Sequence, residues 1–178
     1  MAALIEAARD LSYPAEIVLV ISNIPTAKGV ETAQAANINT CAISHKDFLN
    51  KSMFEAELSQ VLNEAKIELI CLAGFMRVLS ADFVAQWTGR ILNIHPSLLP
   101  AYRGLDTHKR ALADGVKEHG CTVHFVVPEL DAGPIVAQAS VPVLAGDTED
   151  SLSARVLSAE NRLYPEAVAK VAATLAPL

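Results

Sequence analysis

The stretch RILNIHPSLLP, residues 90–100, joins the end of an apolar run to an amide, an imidazole and two prolines. A proline ring restricts the preceding residue to extended backbone, so we expect His95 before Pro96 to end a strand rather than begin a helix. Asn93 and His95 are two residues apart, and such residues project from the same face of an extended chain. The stretch therefore predicts a strand that ends in two polar side chains. Those side chains either face solvent or belong to a site.

The rest of the chain alternates short apolar runs, rich in Val and Ile, with helical patterns. This alternation predicts an α/β fold in which a mostly parallel central sheet is flanked by helices, in a single domain over residues 1–178. Strands are predicted at 16–22, 39–43, 67–73, 90–94, 121–127 and 135–143, and helices at 2–10, 27–37, 51–65, 80–88, 106–114 and 149–174.

Composition limits the classes of function. The chain has 178 residues, 52% of them apolar, which suffices for one sizeable core. Its 14 basic and 20 acidic residues give a net charge of −6, which argues against a broad surface for nucleic acid. No apolar run approaches the roughly 20 residues that cross a bilayer, and the N-terminus lacks the basic region of a signal peptide. These features predict a cytoplasmic protein.

The three cysteines Cys41, Cys71 and Cys121 lie in apolar, strand-like runs without a CxxC motif. We expect structural thiols in a reducing compartment. No pair of His or Cys has the spacing of metal ligands, so no metal is predicted.

Three strand ends carry polar residues that a common crevice would bring together. In an open α/β sheet, ligands bind beyond the carboxyl ends of the strands. Asn93 and His95 end one predicted strand, and Asp131 follows CTVHFVV in the loop PELDAGP. The third end, after IELICLA, gives GFMRVLS. Asp131 could equally be a turn former that bonds its own backbone.

An amide, an imidazole and a carboxylate suit acyl transfer without a covalent intermediate. The amide and a protonated imidazole can donate to the oxyanion of a tetrahedral intermediate, and a carboxylate favours the protonated ring. Of the other histidines, His45 and His119 are predicted to be solvated loop residues. His108 and His124 either line the site or pack in the core.

Four segments, in order along the chain from about Glu16 to Pro165, resemble the phosphoribosylglycinamide formyltransferase family. They are CLAGFMRVLS (71–80), GRILNIHPSLLPAYRGLDTHKRAL (89–112), HGCTVHFVVPELDAGPIVAQ (119–138) and the YP at 164–165 that follows AEN. The resemblance implies a Rossmann-like formyltransferase fold. It also implies transfer of a formyl group from 10-formyltetrahydrofolate to the amine of glycinamide ribonucleotide, in purine biosynthesis and without a metal.

The resemblance also implies roles for individual residues. The catalytic residues would be Asn93, His95 and Asp131, with the imidazole as proton donor and oxyanion stabiliser and the carboxylate acting on the imidazole. Pro96 and Glu160 would contact the ribonucleotide. The folate pocket would comprise Lys51, Leu72, Met76, Arg77, Val78, Leu79, Phe83, Val84, Asn93, Val126 and Leu130. Lys51 stands where the family commonly has Arg, which removes any bidentate contact.

The sequence departs from the family pattern at its front. Members of the family start with a strand and a GSGSN-like loop that cradles the substrate phosphate, whereas this sequence opens with the helical pattern that follows such a loop. Backbone N–H groups at the start of that helix would bind the phosphate. We therefore expect the strand and loop to be absent from this chain. The sheet should then contain a slot one strand wide, which corresponds to one strand spacing of roughly 4.8 Å on each side.

Two alternatives share parts of the pattern. Formyltetrahydrofolate hydrolase and methionyl-tRNA formyltransferase have the same Asn-x-His strand end and downstream Asp, but their additional domains do not fit in 178 residues. A folate-binding module that has lost catalysis is the alternative from a different class. The expected partners are the two small substrates, and a homodimer remains open.

Overall fold

The computed structural model describes residues 1–175, and its helices and strands follow the predicted order. A 3₁₀ turn at His45–Asp47 precedes the third helix. The helices are α1 (Ala2–Ala7), α2 (Lys28–Ala35), α3 (Lys51–Glu64), α4 (Ala81–Gln86), α5 (Thr107–Ala113) and α6 (Glu149–Ala172). The strands are β1 (Leu19–Ser22), β2 (Asn39–Ala42), β3 (Ile70–Leu72), β4 (Ile91–His95), β5 (Glu118–Phe125) and β6 (Ile135–Pro142). The prediction of a single domain extends to 176–178, outside the described residues, and stays a prediction.

The strands form two separate sheets. One has the order β3-β4-β5-β6, and the other pairs β1 with β2. β1–β2 and β3–β4 are parallel, whereas β4–β5 and β5–β6 are antiparallel. The predicted α/β architecture is confirmed. In the larger sheet, β3, β4 and β6 run in one direction and only β5 runs against them. The antiparallel pairing of β5 with β6 follows from chain length, because residues 126–134 are too few for the crossover that a parallel partner requires.

Each face of the larger sheet has its own apolar core. On one face, Leu92, Cys121 and Val123 pack against α6, together with Leu4 of α1. On the other, Ile91 packs with residues of α3 and α4 and the turn after α4, among them Trp87. The alternation of Ile91 and Leu92 between two cores follows from the two-residue period of a strand. Asn93 and His95 therefore share the face of Ile91.

Helix α6 is fixed at its start and in its middle. The Thr148 hydroxyl accepts from the Ser151 N–H, and the Ser151 hydroxyl accepts from the Thr148 N–H, which forms a capping box. In the middle, the buried Tyr164 hydroxyl lies 2.9 Å from the Leu72 carbonyl oxygen and 3.1 Å from that of Leu92. One face of α6 is thereby held against the end of β3 and the start of β4.

An apolar groove of about 220 Å³ separates the two sheets. Within residues 1–175, β1 pairs only with β2, so the edges of β1 and β3 face each other without a ladder between them. The walls include Ile5 from α1, Val20 and Ile21 from β1, Phe54 from α3 and Cys71 from β3. This separation agrees with the predicted slot.

Within the described residues, no helix is both long and apolar enough to cross a membrane.

Candidate active site

The register of β4 and β5 sets the first part of the site. Asn93 lies directly opposite His124, and His95 lies opposite Thr122. Directly opposed residues of antiparallel strands point to the same face, with Cβ atoms about 5 Å apart. Asn93, His95 and His124 thus form one polar patch on this face of the sheet, with Thr122 beside it.

Asp131 reaches this patch by a route that the strand-end argument did not foresee. Because β5 runs antiparallel to β4, its carboxyl end lies beside Leu92, toward the start of β4. Residues 126–134 fold back across the sheet, and Asp131 turns there with a left-handed φ of 48°. Its Oδ2 accepts from the Gly104 N–H at 2.9 Å and lies 3.5 Å from His95 Nδ1. The three predicted catalytic side chains therefore meet, although the reason given for Asp131 was wrong.

Both ring nitrogens of His95 face oxygen acceptors. Nε2 lies 2.9 Å from the Tyr102 carbonyl oxygen, and Nδ1 faces the Asp131 carboxylate. Only a ring with a proton on each nitrogen can donate to both acceptors at once. His95 is 6% exposed, so the carboxylate and the carbonyl replace water around the ring. The two contacts fix the orientation of the ring at the cavity wall.

A cavity of about 700 Å³ opens over this patch. Its walls come from four regions: the residues after β3, the segment around 104–108, the 126–131 loop and one face of α6. Of the residues predicted for catalysis, folate or ribonucleotide, those that line it are Leu72, Met76, Arg77, Val78, Leu79, Asn93, His95, Pro96, Val126, Leu130, Asp131 and Glu160.

Comparison with known proteins assigns this chain to a family. A sequence profile of the family described as "Formyl transferase" matches residues 1–168. The chain belongs to the formyl transferase family. The resemblance stated from the sequence motifs is thereby confirmed.

Individual relatives of this formyl transferase are close in sequence and structure. The phosphoribosylglycinamide formyltransferase of Escherichia coli (strain K12) is 45% identical over 163 residues, which cover 92% of this chain and 77% of that protein. The crystal structure of the enzyme of the same name from Brucella melitensis has a TM-score of 0.94 at 53% identity. The match covers 99% of this chain and 91% of the Brucella chain.

Other relatives are much longer proteins. The trifunctional purine biosynthetic protein adenosine-3 of Drosophila melanogaster is 53% identical over 169 residues, which cover 94% of this chain. The chain spans only 12% of the length of that relative.

The segment after β3 presents unpaired backbone to the cavity. Among residues 1–175, the main-chain N–H groups of Met76, Arg77 and Val78 have no protein acceptor. Around them the side chains of Met76 and Val78 are 78% and 61% exposed, and Leu105 and Leu130 across the cavity are 70% and 55% exposed. Free N–H groups between exposed apolar side chains suit a flat heterocycle that needs both polar edges and covered faces.

Three residues predicted for the folate pocket lie elsewhere in this formyl transferase. Phe83 and Val84, at 2% and 4% exposure, pack in the core between α4 and the sheet rather than on the cavity wall. The Lys51 ammonium lies 3.9 Å from the buried carboxylate of Glu55, whose Oε1 accepts from the Ser80 N–H. Lys51 thus compensates a buried charge that anchors the end of the 74–80 segment. These three assignments rested on the resemblance, which does not show which way a side chain faces.

Glu160 and four further residues of α6 line the cavity. Glu149, Ser153, Val156, Leu157 and Glu160 follow the three- and four-residue spacing of a helix, which places them on one face. Burial raises the pKa of Glu160, and the nearby amino group of Met1 opposes that shift. The resemblance indicated only Glu160, whereas the helical period indicates its companions as well.

The structure corrects the prediction for His119 and settles the open choice for His108. His119 was predicted to be a solvated loop residue, but it lies within β5 and is 1% exposed. Its Nε2 lies 3.2 Å from Nδ1 of His108, which lines the cavity. Burial, together with the neighbouring His108, lowers the pKa of His119 to about 4. The prediction failed because β5 begins at Glu118, whereas the apolar run that predicted this strand begins only at Cys121.

Within residues 1–175, no three side chains of His, Cys, Asp or Glu are grouped as a metal ion requires. The absence of a metal stays a prediction.

Proposed function

We propose that this formyl transferase moves the formyl group of 10-formyltetrahydrofolate to the amine of glycinamide ribonucleotide. The products are formylglycinamide ribonucleotide and tetrahydrofolate, and the reaction belongs to purine biosynthesis. One observation carries the proposal: Asn93, His95 and Asp131 converge on the wall of one cavity large enough for two ligands. The names of the E. coli and Brucella relatives support it.

The chemistry needs a proton donor and an oxyanion site. The amine nitrogen attacks the formyl carbon, and the carbonyl oxygen becomes negatively charged in a tetrahedral intermediate. Collapse then breaks the bond between that carbon and N10 of the folate. The amine loses a proton and N10 gains one, so one net proton transfer accompanies the exchange. In this proposal His95 supplies a proton, and its contact with Asp131 supports a role of the carboxylate in orienting the ring. An amide N–H of Asn93 donates to the oxyanion.

The two ends of the cavity suit the two substrates. We assign the folate ring to the end formed by Met76, Val78 and Leu130, where apolar side chains surround free N–H groups. We assign the ribonucleotide to the end with Pro96 and Glu160, where the acid can accept from sugar hydroxyls. The formyl carbon would then lie between the two ends, next to Asn93 and His95.

The proposed partners are these two small molecules, in the cytoplasm, with no nucleic acid, membrane or metal; a homodimer is also part of this proposal. The net charge of −6 disfavours a polyanionic partner.

A direct assay separates this function from its alternatives. The protein is mixed with 10-formyltetrahydrofolate in the presence and absence of glycinamide ribonucleotide, and tetrahydrofolate and the formylated amine are both quantified. We expect the two products in equal amounts, and only with the amine present. Tetrahydrofolate released without the amine would indicate a hydrolase. Folate binding without any product would indicate a binding module.

A further inference from the structure

The partner of the Asn93 amide is a buried imidazole on the neighbouring strand. Asn93 Nδ2 lies 3.2 Å from His124 Nε2, and His124 is 2% exposed. The ladder between β5 and its other neighbour, β6, is irregular at this position, because Val123 pairs with Ala137 and His124 with Ile135. The ladder to β4 is regular there, and it sets the imidazole opposite the amide.

The second ring nitrogen of His124 determines where the proton lies. His124 Nδ1 is 2.9 Å from the carbonyl oxygen of Phe125. A carbonyl can only accept, so Nδ1 carries the proton and donates. The neutral ring then has a lone pair on Nε2, which can only accept. An amide nitrogen of Asn93 must therefore face it, because the amide oxygen would oppose a lone pair.

We propose that His124 is a positioning residue that holds the Asn93 amide in one orientation for the transfer reaction. One N–H of Asn93 is committed to His124, while Oδ1 and the second N–H remain for the reactants in the cavity. The inference rests on the proposed function and adds a residue to it. Without the imidazole acceptor, the amide could rotate by half a turn and exchange its oxygen with its nitrogen.

Protonation of His124 would undo this arrangement. The charged groups that face the ring are Asp131, whose Oδ1 lies 3.7 Å from Nε2, and His95 on β4. A proton on Nε2 would remove the acceptor from Asn93 and point instead at the Asp131 carboxylate. Burial lowers the pKa of His124, with the Phe125 carbonyl and Asp131 acting in the opposite direction. The neutral ring is therefore the form present at neutral pH.

The first test is spectroscopic and does not depend on activity. Nitrogen-15 shifts of the His124 ring, measured at pH 7.5 in the full chain, report which nitrogen carries the proton. We expect the Nδ1–H form, which is the less common form of a free neutral imidazole. Finding the Nε2–H form would overturn the proposal, whether or not the protein transfers formyl groups. A failure of the proposed function alone would leave this result unchanged.

The second test asks whether His124 acts through Asn93. We expect His124→Phe to lower kcat by about tenfold, roughly the effect of one hydrogen bond, with little change in KM. In the double variant with Asn93→Ala, kcat should match that of Asn93→Ala alone, because the amide is already gone. Multiplied losses in the double variant would show that His124 acts by another route.

Two further variants separate positioning from folding. Cys121→Ala removes packing from the same strand, on the face toward α6, and should lower stability without changing kcat. His124→Gln supplies an amide oxygen that can accept from Asn93, so it should recover part of the lost kcat. Equal kcat in His124→Gln and His124→Phe, with both variants folded, would argue against the proposal.

Discussion

The β3–β6 sheet and the β1–β2 pair of this formyl transferase contain similarly apolar strands, but the strands are buried to different degrees. In β4, Ile91 and Leu92 are 1% and 0% exposed, and the polar residues beside them have partners from other elements. In β1, an equally apolar run, every residue is only half-buried. The difference lies in the neighbours, because β4 has strands on both sides and β1 has one. An apolar strand indicates an interior position but does not supply the partners that bury it.

The largest expected effect concerns the proposed catalytic residues in the β3–β6 half. Replacing His95 with Ala removes the proposed proton donor. We expect kcat to fall by on the order of 10²-fold or more, with folate affinity changed by at most a few-fold. Steady-state kinetics and a folate-binding titration measure the two quantities.

Ile21→Ala in β1 is the matched change in the other half. It removes apolar contact in the groove and should lower the melting temperature while kcat stays near the wild-type value. If His95→Ala weakened folate binding at unchanged turnover, His95 would be a pocket residue rather than a proton donor.

The segment after β3 adjoins the larger sheet, yet the backbone N–H groups of residues 76–78 have no acceptor among residues 1–175. Val78→Pro deletes one of those N–H groups and fixes φ, so we expect the Kd for a folate analogue to rise about tenfold. Arg77→Ala keeps the backbone and should raise that Kd by only a few-fold. Calorimetric titration compares the two variants. Equal affinity in wild type and Val78→Pro would remove this segment from the folate site.

The groove between the sheets predicts that an added strand stabilises the protein. We expect an N-terminal extension of six to eight residues rich in Val and Ile, joined by a short turn, to pair with β1 and β3 and raise the melting temperature by about 5 °C. This corresponds to a gain of about 1–3 kcal/mol in a protein of this size. The control is the same extension with a central proline, which cannot complete a ladder between two strands. Equal melting of both extended forms and the wild type would show that the groove does not accept a strand.

Particular residues show how far the sequence could predict this structure. The strand over 90–94 and the shared face of Asn93 and His95 followed from a local rule, since a residue before proline is extended whatever surrounds it. The meeting of Asp131 with His95 depends on strand direction and on a loop that folds back, which no local pattern encodes. Phe83 was assigned to the folate pocket by the resemblance alone and lies in the core, because a motif match does not show which way a side chain on a helix faces. His124 was left open because a histidine in an apolar strand gives no sign of its cross-strand partner.

A further expected effect concerns His119, which was predicted to be exposed to solvent but is buried in the sheet. Its pKa is lowered to about 4, and the groups that face it are His108, His95 and the Tyr102 ring. Between about pH 6.5 and 4 the unfolded chain binds a proton at this residue that the folded protein does not. The free energy of unfolding therefore decreases as pH falls through that window, by at most about 1.4 kcal/mol per pH unit for one proton.

His119→Gln removes the titrating group, so its melting temperature should fall less between pH 6.5 and 4.5 than that of the wild type. Cys121→Ala, in the same strand, lowers stability without removing a histidine and should keep the wild-type slope. Parallel slopes for His119→Gln and wild type in scanning calorimetry would mean that His119 takes up its proton in the folded protein as readily as in the unfolded chain.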